Sequence, residues 1–154
     1  MKAKIILSYL VIFLLLSCNS SSVYSKFDLL PESKQWKQSD VKTFEFTIND
    51  EALLYDIVFK FSHVYDYQFA SVPIDVTIEN PAGEKEKISM DLKIKDASGK
   101  ELGDCSGDIC DLSLAIKNKA KLQKGKYSIA IKNNFKGIYL PNVIGLGLDV
   151  DKTK

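Results

Sequence analysis

Arginine is absent from this 154-residue chain, and histidine and tryptophan occur once each. All 21 basic side chains other than histidine are therefore lysines. The chain has no guanidinium group, which in other proteins forms bidentate hydrogen bonds with phosphate and carboxylate groups. The 20 acidic residues nearly balance the lysines, and no block of basic residues occurs. These absences argue against nucleic acid as a partner.

The first apolar run is too short to cross a membrane. Lys2 and Lys4 precede residues 5–16, which are apolar apart from Ser8 and Tyr9. Twelve helical residues extend about 18 Å, whereas the hydrocarbon core of a bilayer is about 30 Å thick. Residues 1–17 are therefore predicted to be an export signal peptide.

A lipidation motif closes this segment. Leu15-Leu16-Ser17-Cys18 matches the lipobox, in which a small residue precedes a cysteine. We predict that Cys18 carries a diacylglycerol on its sulfur and an acyl chain such as palmitate on its amine, and we predict no other cofactor. Several acyl chains give lasting membrane anchorage where a single chain does not. Residues 18–26 are then predicted to be a flexible tether.

The remaining segment, 27–154, is long enough for one domain with its own core. Residues 24–41 lack a pattern, but their apolar content and Trp36 predict that they lie against the domain. Beyond them, apolar residues alternate with polar ones, which predicts strands with one buried face. The alternating runs are residues 44–48, 55–61, 74–78, 88–94, 112–116, 127–131 and 144–150.

Turn-forming sequences separate these runs. Asn80-Pro81-Ala82-Gly83 and Asp96-Ala97-Ser98-Gly99 are two of them. Only residues 118–122 suit a short helical turn, and Gly145 and Gly147 suggest a bulge or a close backbone approach in the last strand. The sequence predicts an all-β fold, an antiparallel β-sandwich of about seven or eight strands, for which a jelly roll is one arrangement.

Two cysteines remain once Cys18 is acylated. Cys105 and Cys110 enclose a short segment in which Gly107 eases the bend. An even number of cysteines in an exported protein favours a disulfide, with two free thiols as the alternative. A zinc site is not predicted, because His63 is the only histidine and no second cysteine pair exists.

The sequence gives only weak evidence for catalytic or metal-binding residues. His63 has hydroxyl and acidic neighbours in sequence, but no Gly-x-Ser-x-Gly elbow accompanies it, so we predict no catalytic residue. Asp104, Asp108 and Asp111 lie in a glycine-containing stretch whose spacing departs from the EF-hand pattern. This spacing favours a solvated loop over a calcium site.

Aromatic residues are the best candidates for contact with a partner. Tyr65, Tyr67 and Phe69 follow the end of a predicted strand, and Trp36 lies in the segment without a pattern. Exposed aromatic rings on loops bind protein partners or stack on sugar rings. The alternative for all four is packing in the core.

Several short segments, in this order and spacing, resemble the gliding-motility lipoprotein family GldH of Bacteroidota, and the likeness runs from the lipobox nearly to the C-terminus. The segments are Leu30-Pro31, Trp36, Asp40-Val41, Phe44–Ile48, Leu54–Asp56, Tyr65–Tyr67, Asn80–Gly83, Gly125–Ile129 and Leu140–Leu148. Two positions depart from the family: Cys105 and Cys110 occupy a region that is glycine-rich in other members, and Asp149 replaces an arginine.

The resemblance implies a protein without catalytic residues that supports the gliding apparatus and the linked type IX secretion machinery. Its expected partners are other envelope proteins and the membrane that holds its lipid. Because no acidic cluster follows Cys18, we expect the periplasmic face of the outer membrane. The competing hypothesis is a carbohydrate-binding lipoprotein of the same fold, since a sandwich by itself does not determine function.

Overall fold

A computed structural model describes residues 21–153, so the predicted signal peptide and Cys18 lie outside the described residues. Within this range the regular structure is entirely β-strand, and no helix there is long and apolar enough to cross a membrane. The strands are β1 (Ser22–Leu29), β2 (Trp36–Lys37), β3 (Lys42–Ile48), β4 (Leu54–Val64), β5 (Ser71–Glu79), β6 (Lys85–Lys93), β7 (Asp104–Ser106), β8 (Ile109–Lys121), β9 (Gly125–Asn133), β10 (Tyr139–Leu140) and β11 (Val143–Lys152).

The strands form two packed antiparallel sheets, which confirms the predicted fold class. One sheet has the order β1-β11-β4-β8-β7 and the other has the order β3-β9-β5-β6. A short ladder between β10 and β2 lies beside them. The strand count exceeds the prediction because β1, β2, β7 and β10 are paired segments that show little or no alternation in sequence.

The core is formed by the apolar residues of the alternating runs. In β4, Ile57, Phe59 and Phe61 are fully buried and alternate with less buried neighbours. Phe59 and Phe61 pair with Leu148 and Leu146 of β11, so one continuous apolar layer forms across the sheet. Each such side chain contributes about 1.5–3 kcal/mol when it is removed from water.

The sandwich has two distinct ends. The near end is where the described chain starts, with Ser22 opposite Asp151, and it also holds the turns at residues 49–53, 80–84 and 122–124. The far end holds the loops at residues 30–41, 65–70, 94–103 and 134–142. Because β11 has ten residues, the two ends lie about 30 Å apart, at roughly 3.3 Å per residue.

Three expectations need correction. Residues 22–26, which we assigned to a flexible tether, belong to β1 and pair with β11. Residues 24–41 contain β1 and β2 and are not irregular throughout, although they do lie against the domain. Residues 118–121 continue β8 instead of forming a helical turn, and a bulge opposite Tyr55 and Ile57 accommodates them.

The last strand passes very close to the first. A Cβ added to Gly145 would lie 2.4 Å from the ring of Phe27, and one added to Gly147 would lie 2.6 Å from the carbonyl oxygen of Lys26. The pairing also shifts register between Val143 and Gly145. Both sequence expectations for these glycines, a bulge and a close approach, are therefore met.

Candidate functional site

The far end concentrates exposed apolar side chains. Of the nine large hydrophobic residues that are exposed within residues 21–153, seven lie at this end. Ile138 and Leu29 are the most exposed, at 83% and 73%. The seven are Leu29, Val41, Tyr65, Leu102, Ile109, Ile138 and Tyr139.

The near end presents a different surface. Leu54 is the one large hydrophobic residue exposed there among the described residues. One recess at this end, of about 350 Å³, is rimmed by Lys85, Glu86 and Lys117, and the last two form an ion pair with a Nζ–Oε1 distance of 2.6 Å. The near end is thus charged at this rim, whereas the far end carries most of the exposed large hydrophobic residues among its polar ones.

Trp36 does not belong to the exposed surface, which corrects its assignment as a partner-binding residue. Its side chain is fully buried against Phe59 and Phe61, with ring centroids 6.4 and 6.5 Å away. The indole Nε1 donates a hydrogen bond to the carbonyl oxygen of Asp40 at 2.8 Å, so burial leaves no indole donor unsatisfied. Trp36 therefore closes the core beneath the far end.

The other three candidate aromatic residues separate into different roles. Tyr67 is buried, its hydroxyl donates to the carbonyl oxygen of Pro141 at 2.9 Å, and its burial raises its pKa. Phe69 is partly buried against Phe135, with ring centroids 4.8 Å apart. The partner-binding assignment is therefore wrong for Tyr67 and weakened for Phe69, whereas Tyr65 is 56% exposed.

His63 is buried inside the far end. Its Nδ1 lies 2.9 Å from the carbonyl oxygen of Val64, and its Nε2 lies 4.0 Å from Oε2 of Glu101. Nε2 and Oε2 are both buried, and neither has a hydrogen-bond partner among the described residues. Because the ring has no exposed surface, His63 cannot reach a substrate in solvent as a general base.

Glu101 is held by two other groups. The backbone N–H of Tyr67 donates to its Oε1 at 3.0 Å, and Lys95 Nζ lies 3.8 Å from the same oxygen. Lys95 also donates to Asp66 at 2.7 Å, which raises the pKa of Lys95 and lowers the pKa of Asp66. Glu101 had no signal in the sequence, because it approaches His63 from a loop that is distant in the chain.

The cysteine pair closes a tight hairpin at the same end. Cys105 and Cys110 pair across β7 and β8, their Cα atoms are 4.0 Å apart, and a disulfide joins them. Cys110 is fully buried and faces His63, its neighbour across the strand. Asp104, Asp108 and Asp111 are exposed as expected, but only Asp108 lies in a loop, because Asp104 and Asp111 pair across β7 and β8.

Phe27 forms a ledge on the outer face of the five-stranded sheet. Its ring lies over Gly145 and Gly147 and remains 46% exposed. Beside it, Lys60, Asp111 and Ser113 line an open recess of about 330 Å³. Lys60 donates to Ser113 Oγ at 2.9 Å, so the recess has a polar floor next to an aromatic wall.

The structure defines a β-sandwich domain whose exposed large hydrophobic residues are concentrated at one end. The chain belongs to the GldH lipoprotein family, whose model matches residues 22–150. It is therefore one of the gliding-motility lipoproteins of the cell envelope. No curated protein matches the sequence.

Solved structures share parts of the architecture at low identity. A GH115 4-O-methyl-α-glucuronidase is 11% identical with a TM-score of 0.45; the match covers 90% of this chain and 18% of the enzyme. A cellulose-specific carbohydrate-binding module, CBM28, is 9% identical with a TM-score of 0.45, covering 84% and 73% of the two chains. PorU from Porphyromonas gingivalis is 8% identical with a TM-score of 0.37, covering 88% and 14%. With TM-scores below 0.5, we draw no functional inference from these structures.

Proposed function

We propose that this chain is a non-enzymatic, lipid-anchored accessory subunit of the gliding and type IX secretion apparatus, and that it binds an envelope protein through its far end. The observation that carries the proposal is the concentration of exposed apolar side chains at that end. Exposed apolar groups that cluster on a soluble domain are characteristic of protein contact sites.

The position of the chain start supports this assignment. Ser21 lies at the near end, where its carbonyl oxygen accepts a hydrogen bond from Lys152 N at 2.8 Å. Ser21 lies three positions after Cys18 in the sequence, and three extended residue steps span at most about 11 Å. A lipid on Cys18 would hold the near end beside the membrane and leave the far end about 30 Å away. The apolar surface would then be directed towards a protein partner, because the lipid surface lies at the opposite end.

Anchorage also explains how modest contacts can suffice. A protein held at a membrane meets its membrane-bound partners at a raised effective concentration, so the second contact is effectively intramolecular. The far end needs only a few apolar anchors for this, since a minority of interface residues carries most of the binding energy.

The experiment is an affinity pull-down of the tagged, lipidated protein from its own detergent-solubilised envelope, followed by mass spectrometry. We expect recovery of gliding or type IX secretion proteins. Ile138→Asp and Leu29→Asp should each lower that recovery by about tenfold or more, because they place a charge in the apolar contact.

Leu54→Asp is the matched control, since it introduces the same charge at an exposed leucine of the near end. Recovery should stay at the wild-type level in this variant. Equal losses of recovery in all three variants would indicate a general effect of the added charge. If the two far-end variants lost no recovery, the far end would not be the contact surface.

A carbohydrate ligand is the second candidate, and the Phe27 ledge is the observation that favours it. A half-exposed ring beside Lys60, Asp111 and Ser113 offers a stacking face and polar groups together. Retention of the wild-type protein on a glycan array, lost in Phe27→Ala and unchanged in Ile138→Asp, would support this function in place of protein binding.

We also propose that the protein faces the periplasm from the outer membrane. The test is protease treatment of intact cells followed by immunodetection of the domain. The domain should survive in intact cells and be degraded after the outer membrane is permeabilised. Degradation in intact cells would place the domain on the cell surface instead.

A further inference from the structure

We propose that reduction of the Cys105–Cys110 disulfide turns the buried cluster at the far end into a binding site for a divalent transition metal ion, with Zn²⁺ as the natural occupant. The ligands would be His63 Nε2, a carboxylate oxygen of Glu101 and the two cysteine sulfurs. Ligand atoms of His63, Glu101 and Cys110 already lie within 4.8 Å of one another. This proposal revises the expectation from sequence, in which Glu101 had no part.

The histidine is oriented as a metal ligand. Because a carbonyl oxygen only accepts hydrogen bonds, the 2.9 Å contact with Val64 requires that Nδ1 carry a hydrogen. In the neutral ring this leaves the lone pair on Nε2, which points at Glu101. Metal-binding histidines in proteins commonly donate their other ring N–H to a carbonyl oxygen in this way.

The carboxylate is oriented as well. Tyr67 N and Lys95 hold Oε1 of Glu101, so that Oε2 is the oxygen that faces His63. Two buried acceptor atoms that face each other across 4.0 Å are left without a hydrogen bond unless a proton or a metal ion lies between them. Tetrahedral metal bonds of about 2.0–2.2 Å would place the nitrogen and the oxygen about 3.4 Å apart, so metal binding would draw His63 and Glu101 together by about 0.6 Å.

The cysteines make occupancy depend on redox state. The sulfurs of a disulfide are poor ligands, whereas thiolates bind Zn²⁺ strongly. A small-molecule or protein dithiol would supply two electrons and two protons, breaking the S–S bond, forming two thiols and becoming a disulfide itself. Metal binding then releases the two thiol protons. Because Cys110 pairs with His63 and Cys105 pairs with Cys110, reduction leaves Cys110 beside His63 and Cys105 one strand further away, within reach of the same metal ion.

A route to the cluster exists at the surface. An open recess of about 300 Å³ is lined by Tyr65, Glu101 and Cys105 among others. Cys105 is exposed, so a reductant can reach the disulfide from this recess, and a metal ion can follow. Cys105 is thus the member of the pair that solvent reaches, and Cys110 is the member that lies beside His63.

The experiment uses the lipidated protein in detergent micelles, in which lipid blocks the Cys18 sulfur. The protein is reduced with a phosphine, freed of excess reductant and titrated with Co²⁺. We expect a sulfur-to-cobalt charge-transfer band and tetrahedral visible bands at one equivalent of metal. Zn²⁺ should displace the Co²⁺ and raise the melting temperature of the reduced protein, and the oxidised protein should show neither effect.

Variants distinguish metal binding by the whole cluster from metal binding by the two cysteine thiols alone. Glu101→Gln should weaken Zn²⁺ binding by more than about tenfold, while Glu84→Gln, a carboxylate at the near end, should leave it unchanged. Cys105→Ser should bind Co²⁺ without any reductant, because Cys110 is then a free thiol beside His63. Circular dichroism establishes that each variant is folded.

The proposal is wrong if the reduced wild type and Cys105→Ser both fold and neither gives charge-transfer absorption with Co²⁺. It is equally wrong if Glu101→Gln and Glu84→Gln bind Zn²⁺ with the same affinity, because the metal then sits on the cysteines alone. These outcomes do not touch the proposed protein contact, which is measured with the disulfide intact.

Discussion

Two turns of the same construction lie at opposite ends of the sandwich. At the near end, the side-chain oxygen of Asn80 accepts hydrogen bonds from the backbone N–H groups of Ala82 and Glu84, both at 3.0 Å. At the far end, Asp96 accepts from Ser98 and Lys100 at 2.8 and 3.0 Å. The third residue after each carries a positive φ angle, 82° and 86°, and is a glycine.

The difference between the turns is the charge of the first residue. Asn80 is neutral and donates a hydrogen bond of its own to Glu84 at 2.7 Å. Asp96 is an acid, and its hydrogen bonds with Ser98 and Lys100 lower its pKa. The first residue of the near-end turn is thus a neutral amide, whereas the first residue of the far-end turn is a carboxylate whose hydrogen bonds depend on its charge.

The largest difference between the ends should appear in stability. Trp36→Ala should lower the free energy of unfolding by about 3–5 kcal/mol, because it removes a fully buried ring and leaves a cavity. Leu54→Ala at the near end should cost no more than about 1 kcal/mol, because that side chain is already half in water. Urea unfolding followed by circular dichroism measures both values. Similar losses in the two variants would show that the core is not closed at the far end as described.

The second prediction concerns β1, which joins the two ends. Gly147→Ala should destabilise the protein by about 1–3 kcal/mol, because the new Cβ would lie 2.6 Å from the backbone oxygen of Lys26. Gly145→Ala should also destabilise it, but here the nearest atoms belong to the Phe27 ring, at 2.4 and 2.6 Å.

A double-mutant comparison separates these two causes. Adding Phe27→Ala should largely relieve the cost of Gly145→Ala, because the colliding ring is then gone. It should relieve the cost of Gly147→Ala far less, because the backbone oxygen remains. Urea unfolding measures these costs. If Phe27→Ala reduced the destabilisation by the same amount at both glycines, the collision at Gly147 would also be with the Phe27 ring and not with the backbone oxygen of Lys26.

The sequence predicted the sandwich because its long strands alternate locally. Phe44, Phe59 and Ile74 each lie in a run whose apolar residues recur at every second position, and each is buried as expected. The turns at Asn80 and Asp96 were equally visible, because asparagine, aspartate and glycine stabilise turns through their own short-range hydrogen bonds. Local chemistry was sufficient for these elements.

The rest depended on contacts between distant parts of the chain. β1 has polar residues in its first half, and only its pairing with β11, more than a hundred positions later, makes it a strand. For Trp36 and Tyr67 the sequence left partner contact and core packing both open, because nothing nearby in the chain indicates what covers them. Glu101 meets His63 through loop packing, so no spacing in the sequence could have joined the two residues.

The smallest predicted effect tests the contrast between the two turns directly. The pKa of Asp96 is lower in the folded chain than in the unfolded one, where aspartate titrates near 3.9. Its contribution to stability is therefore complete above about pH 4 and is lost as the pH falls through the folded value. Asp96→Asn should flatten the acid limb of a plot of unfolding free energy against pH.

Asn80→Asp tests the near-end turn by introducing the charge that its first residue lacks. The new carboxylate replaces the amide that now donates to Glu84, so two negative charges would face each other at neutral pH. The variant should be less stable than the wild type at neutral pH, and the gap should narrow as acid neutralises the pair. Urea unfolding midpoints measured from neutral to acidic pH give both curves. If Asn80→Asp were as stable as the wild type at neutral pH, the hydrogen bond from the Asn80 amide to Glu84 would not be what requires a neutral first residue in the near-end turn.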